Sequence, residues 1–211
     1  MKFLEVQSSV VFIGEGFSTA FFQESKYTDI LGEPDQETQV NIPVAKRQTF
    51  PETGYQILLM PDRMEFSYFK EDFFPEGLKK IAEGLVQVLE AVNPESCAGV
   101  GINLSVTIPA DEVGKTGFEF CRENFLAWPD PKGRLEADEF KFNTSKLIYS
   151  FHNVLYHVDV EPHLASDGEN LFVKMNAHQD VDKTNSIGTA INKFDEIREH
   201  TSTLHGKLLR G

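Results

Sequence analysis

The 211-residue chain has two cysteines, one tryptophan and no apolar run approaching the ~18 residues that a membrane-spanning helix needs. Each scarcity excludes a class. Two thiols, Cys97 and Cys121, are too few for a disulfide scaffold and suit a reducing compartment. The opening MKFLEVQSSVVFIGEG breaks its apolar stretch with Glu5 and Gln7, unlike the core of a signal peptide, so a cytoplasmic location is expected with no membrane partner. Basic residues are also sparse. Lys and Arg number 20 against 33 Asp and Glu, a net charge of -13. Direct nucleic-acid binding, which depends on clustered Lys and Arg against phosphate, is not expected. The acidic excess runs through every quarter of the chain without a block or tail, as in a solvated surface that keeps a protein soluble.

Catalytic signatures are missing too. Val113-Gly114-Lys115-Thr116 copies the end of a phosphate-binding loop, but Pro109 stands where the first glycine is required, and Asp111 and Glu112 would repel phosphate. Gly14-Glu15-Gly16 lacks the third glycine of a dinucleotide fingerprint and reads as a turn or bulge. No GxSxG elbow occurs, and Cys121 falls in a helical stretch without a nearby histidine. No cofactor is expected on these grounds.

Eighteen phenylalanines and several periodic segments remain. Phe3 to Ile13 interleaves Glu5, Gln7 and Ser9 with apolar residues and reads as a strand. Residues 23–38 read as a loop, and Val40–Ala45 as a short strand that Pro43 confines to a sheet edge. Two apolar runs flank Met60-Pro61-Asp62-Arg63, a hairpin turn with Pro61 at its second position. After Pro75, residues Leu78, Ile81, Ala82, Leu85, Leu89 and Val92 mark a helix that Asn93-Pro94 ends, with Gly84 its one weak point.

Residues 99–108 alternate strictly. Val100, Ile102, Leu104, Val106 and Ile108 form one face, and Gly101, Asn103, Ser105 and Thr107 a small polar one. A helix is expected from Ala110 to Phe125, then a loop over 126–145. One long strand is expected from Lys146 to His163, a turn at Asp167-Gly168, a return strand from Leu171 to His178, and a closing helix capped by Thr184, Asn185 or Ser186. Hairpins mixed with about three helices that cover one sheet face predict an α+β fold with an antiparallel sheet. The pattern is that of a single domain, residues 1–211, with a weak internal duplication of hairpin-helix units that suggests halves 1–108 and 109–211.

Two features bear on function. On the strand holding HVDVEPH, His157, Asp159, Glu161 and His163 share a face. Matching apolar residues across the Asp167-Gly168 turn pairs Val160 with Met175, Glu161 with Lys174 and His157 with His178. This makes His157, Asp159 and His178 a candidate divalent-metal or acid/base site, with Asp180 in reserve; equally, the row is what the solvent face of an amphipathic hairpin produces. The second feature is the doublets Phe21-Phe22 and Phe73-Phe74. Neighbours on a regular strand point to opposite sides, so one of each pair is a candidate contact residue, on an interface or under a loop. The expected function is a non-catalytic protein-interaction or oligomerising module, meeting itself or a basic or nucleic-acid-binding partner. The alternative is a small metal-dependent or acid/base enzyme using the 154–180 hairpin.

Overall fold

The computed structural model describes residues 3–17, 26–35, 40–42, 45–70, 74–92, 97–125, 144–182 and 186–208. Among the described residues nine strands form one antiparallel sheet: β1 (Glu5–Gly14), β2 (Val40–Ile42), β3 (Ala45–Phe50), β4 (Tyr55–Met60), β5 (Arg63–Tyr68), β6 (Cys97–Ile108), β7 (Ser145–Phe151), β8 (Val154–Pro162) and β9 (Leu171–Asp180). Their order is β2-β3-β4-β5-β1-β6-β9-β8-β7. The helices are α1 (Thr28–Leu31), α2 (Glu76–Val92), α3 (Ala110–Val113), α4 (Gly117–Phe125), α5 (Ile187–Asn192) and α6 (Phe194–Leu208). The expected α+β class is the one observed.

Alternation decides which face the helices cover. Val10 and Phe12 of β1, Phe66 of β5, Ile102 and Leu104 of β6, Val158 of β8 and Met175 of β9 are all at most 1% exposed and belong to one core. Onto this face pack α2 against β1 and β5, α5 and α6 against β6, and α4 against β8 and β9. In α2 the residues at three- and four-residue spacing, Leu78, Ile81, Ala82, Leu85 and Leu89, are fully buried. Gly84 interrupts that good helix former for a packing reason. A Cβ there would stand 2.6 Å from the hydroxyl of Tyr27, which the segment around α1 lays across the helix.

Several expectations change in detail. The helix expected over Ala110–Phe125 is two helices, because Gly114 takes a left-handed conformation (φ 77°) that ends α3. Thr116 and Glu119 then form a capping box for α4: Glu119 N–H donates to Thr116 Oγ1 at 3.2 Å, and Thr116 N–H donates to Glu119 Oε2 at 2.9 Å. The phosphate-loop fragment is thus a helix stop followed by a helix start. Ser186 caps α5 by accepting from Thr189 N–H at 3.1 Å. The bulge expected at Gly14 appears as a register shift between Ile13 and Gly14. Val40–Ile42 is an edge strand as expected, while Pro43 and most of the 126–145 loop lie outside the described residues.

The largest correction concerns the long strand expected from Lys146 to His163. It is a hairpin. His152 (φ 49°) and Asn153 (φ 61°) both adopt left-handed conformations and join β7 to β8 in a two-residue turn. With this extra strand the topology repeats. Outward from the centre the order is β1-β5-β4-β3 on one side and β6-β9-β8-β7 on the other, each set followed by a covering helix. The repeat divides the chain after α2, so Cys97–Ile108 opens the second half instead of closing the first.

Candidate functional site

The face of the sheet opposite the helices carries an open groove of about 720 Å³. Among the described residues it is lined by strand residues and Thr144. Register sets the side chains in rows that run across the strands. One row is Ser9 on β1, Asn103 on β6, Asn176 on β9 and His157 on β8. A second is Gln7, Ser105, Lys174, Asp159 and Lys146, and a third is Glu65, Val11, Gly101 and His178.

The floor is lowest where side chains are small. A Cβ on Gly101 would come within 3.1 Å of Asn176 Nδ2. Along the first row the amides are linked: Asn176 Nδ2 donates to Asn103 Oδ1, and Asn103 Nδ2 donates to Ser9 Oγ at 3.1 Å. This chain fixes the amide orientations and leaves their remaining donors and acceptors toward the groove. Among the described residues the lining charges are Arg63 and Lys174 against Glu65, Asp159 and Glu161. Ser67 donates to Glu65 Oε1 at 3.1 Å, and Lys146 lies 3.9 Å from Asp159.

The sequence-based candidates fare unevenly. His157 and Asp159 face this side, and Asp159 lines the groove. The expected register, however, is off by two residues. Lys174 stands opposite Asp159 instead of Glu161, and His157 opposite Asn176 instead of His178. The cause is the β8–β9 connection, which is eight residues long. A 3-10 turn over Leu164–Ser166 precedes Asp167-Gly168, so pairing begins at Pro162–Leu171 and Leu164 projects into solvent at 60% exposure. His178 turns over Gly99 and shares a hydrogen bond with Asp180 Oδ1 at 3.1 Å. Among the described residues no group of three His, Cys, Asp or Glu side chains is placed to hold a metal ion, and the observed register does not set His157 of the candidate His157, Asp159 and His178 opposite His178.

Of the phenylalanine doublets, Phe21, Phe22 and Phe73 lie outside the described residues. Phe74 is no surface residue. It is 1% exposed and meets Phe194 edge-on at 5.5 Å. His200, on the last helix, is a half-buried wedge. Its ring stacks on Phe151 at 4.3 Å and its Nε2 lies 2.9 Å from the Tyr149 hydroxyl. Burial raises the pKa of that tyrosine. Burial also pushes both thiols, Cys97 and Cys121, up to about 11, so they are protonated and unreactive at neutral pH.

Sequence reading alone did not identify Gln7, Ser9, Arg63 and Glu65 as site residues. The signal was the alternation of Glu5, Gln7 and Ser9, together with the small polar face of residues 99–108. What joins them is the β1–β6 pairing, made between segments about ninety residues apart. No protein-family model matches this chain, and no curated protein matches it. No described helix is long and apolar enough to cross a membrane.

Proposed function

We propose that the protein is a non-catalytic binding module whose groove receives an extended, basic segment of another protein. The observation that carries this reading is the floor of the groove. A solvated sheet face is expected to hold long charged side chains, whereas here Ser9, Gly101, Asn103, Ser105 and Asn176 form a concave strip of small hydroxyls and amides. Such groups hydrogen-bond a peptide backbone without selecting its side chains. The strip crosses three strands, β1, β6 and β9, at ~4.8 Å spacing, which gives about 10 Å, enough for about three extended residues.

The polarity of the partner follows from charge. Among the described residues three carboxylates line the groove against two cations, on a chain of net charge -13. A basic segment is steered toward such a surface and an acidic one is repelled. Occupying the groove in this way would mask a basic region that otherwise contacts nucleic acid. Two free, buried thiols support an intracellular site of action.

The test is titration of the isotopically labelled protein with a Lys/Ser decapeptide, followed by NMR. Side-chain amide signals of Gln7, Asn103 and Asn176 should shift, and binding should weaken between 50 and 300 mM salt as charges are screened. Reversing Glu65, Asp159 and Glu161 to Lys should abolish the shifts. Shifts scattered over the acidic surface and unchanged by that triple reversal would refute the reading.

A further inference from the structure

We propose that the chain forms a two-fold dimer by antiparallel pairing of β7 with β7 of a second copy, joining two sheets into one. This surface is separate from the groove and does not depend on what the groove holds. Among the described residues β7 has a single neighbouring strand, β8, and stands last in the sheet. The opposite edge, β2, is only three residues long, which is itself a protection against pairing. β7 has seven residues, no proline and one charge. Its side chain Ile148 is 59% exposed, with Leu155 of β8 beside it at 37%.

The hairpin turn determines which backbone groups of β7 are available. In a two-residue turn with both residues left-handed, the flanking residues form a hydrogen-bonded pair. Phe151 and Val154 are that pair, so Ser145, Leu147, Tyr149 and Phe151 direct their N–H and C=O groups toward β8. Lys146, Ile148 and Ser150 therefore direct theirs outward.

The strand is self-complementary about Ile148. With the two-fold axis there, Ile148 faces the copy's Ile148, Lys146 faces the copy's Ser150, and Leu147 faces the copy's Tyr149. The first two kinds of pair are the hydrogen-bonded ones. They use all six outward groups of each strand, and the apolar residues meet apolar residues on both faces. The two Lys146 residues lie four positions apart along the pair, about 14 Å, beyond the ~8 Å screening length at physiological salt. In a chain of net charge -13, β7 is a segment carrying no acid, so two copies approach there with little repulsion. A strand pairing alone covers less than the ~1,200 Å² of a standard interface, so association is expected in the micromolar range.

Sedimentation velocity from 5 to 500 μM tests this directly. The wild-type chain should shift from monomer to dimer, and Ile148→Pro should remain monomeric at every concentration. The proline removes an outward N–H that β8 does not use, so an unchanged circular dichroism spectrum confirms that the fold is kept. Ile148→Lys, which sets like charges face to face, provides a second disruption. Register is read by oxidation. Ile148→Cys should cross-link to itself, since facing Cα atoms at ~5.5 Å suit a disulfide. Lys146→Cys should cross-link only when mixed with Ser150→Cys. A wild-type chain that stays monomeric at 500 μM, an Ile148→Pro variant that still dimerises, or Lys146→Cys cross-linking alone as fast as Ile148→Cys would each overturn the proposal.

Discussion

Gly84 shows how one residue can oppose its own element. In an isolated helix its replacement by alanine would add about 1 kcal/mol of helix propensity. Here the new methyl group meets Tyr27, whose ring is 7% exposed and cannot swing into solvent. Overpacking of this kind costs about 1–3 kcal/mol, so Gly84→Ala is expected to lower stability by roughly 1 kcal/mol or more in urea denaturation. In a Tyr27→Phe background, which removes the hydroxyl, the same change should cost less. A second residue-scale expectation concerns Lys79, whose Nζ meets Asp195 Oδ2 at 2.5 Å and ties α2 to α6. That hydrogen bond holds the Asp195 carboxyl below its ordinary 3.8. The stabilisation is therefore complete above pH 3.8 and lost as pH falls through the lowered value. The gap in urea midpoint between wild type and Lys79→Met should be constant from pH 7 to 5 and shrink on further acidification.

At the scale of elements, the β7–β8 hairpin is the most instructive. Its turn residues are His152 and Asn153, not the Asn-Gly pair that marks such turns in a sequence. Histidine and asparagine tolerate left-handed backbone better than most residues, but the pair is too common to signal a turn, and the flanking apolar residues read on as one strand. Tertiary contacts supply the missing bias. His152 stacks on Phe151 and meets the Glu196 carboxylate, and Lys193 Nζ donates to the His152 carbonyl at 2.9 Å. Asn153→Gly should stabilise the protein by a few tenths to about 1 kcal/mol by relieving the left-handed residue. Asn153→Val should cost about 1–2 kcal/mol. Thermal denaturation of the two variants would give opposite shifts. By contrast, helix α2 and strand β6 were legible directly, because periods of 3.6 and 2 sustained over ten or more residues leave one solution.

For the whole molecule, charge is the property that no single element reveals. A net -13 spread over every quarter repels itself in the compact state, more strongly than in the expanded one. Raising NaCl from 10 to 200 mM should therefore increase the melting temperature, and a flat or falling response would show that local ion pairs such as Lys115–Glu123 at 2.6 Å outweigh the repulsion. The sequence by itself determined the class, α+β with an antiparallel sheet. It also determined the faces, since alternation in β1, β6 and β8 commits every second residue to the core. It could not determine neighbours across long distances in the chain. Shifting a strand by two residues keeps each side chain on its face while changing every partner, so Glu161 and Asp159, or Asn176 and His178, are equivalent to a pattern reader. Only the eight-residue β8–β9 connection and the β1–β6 pairing settle which polar groups meet. That is why the expected pairing of His157 with His178 was off by two residues while the small polar face of residues 99–108, read from alternation alone, became the floor of the groove.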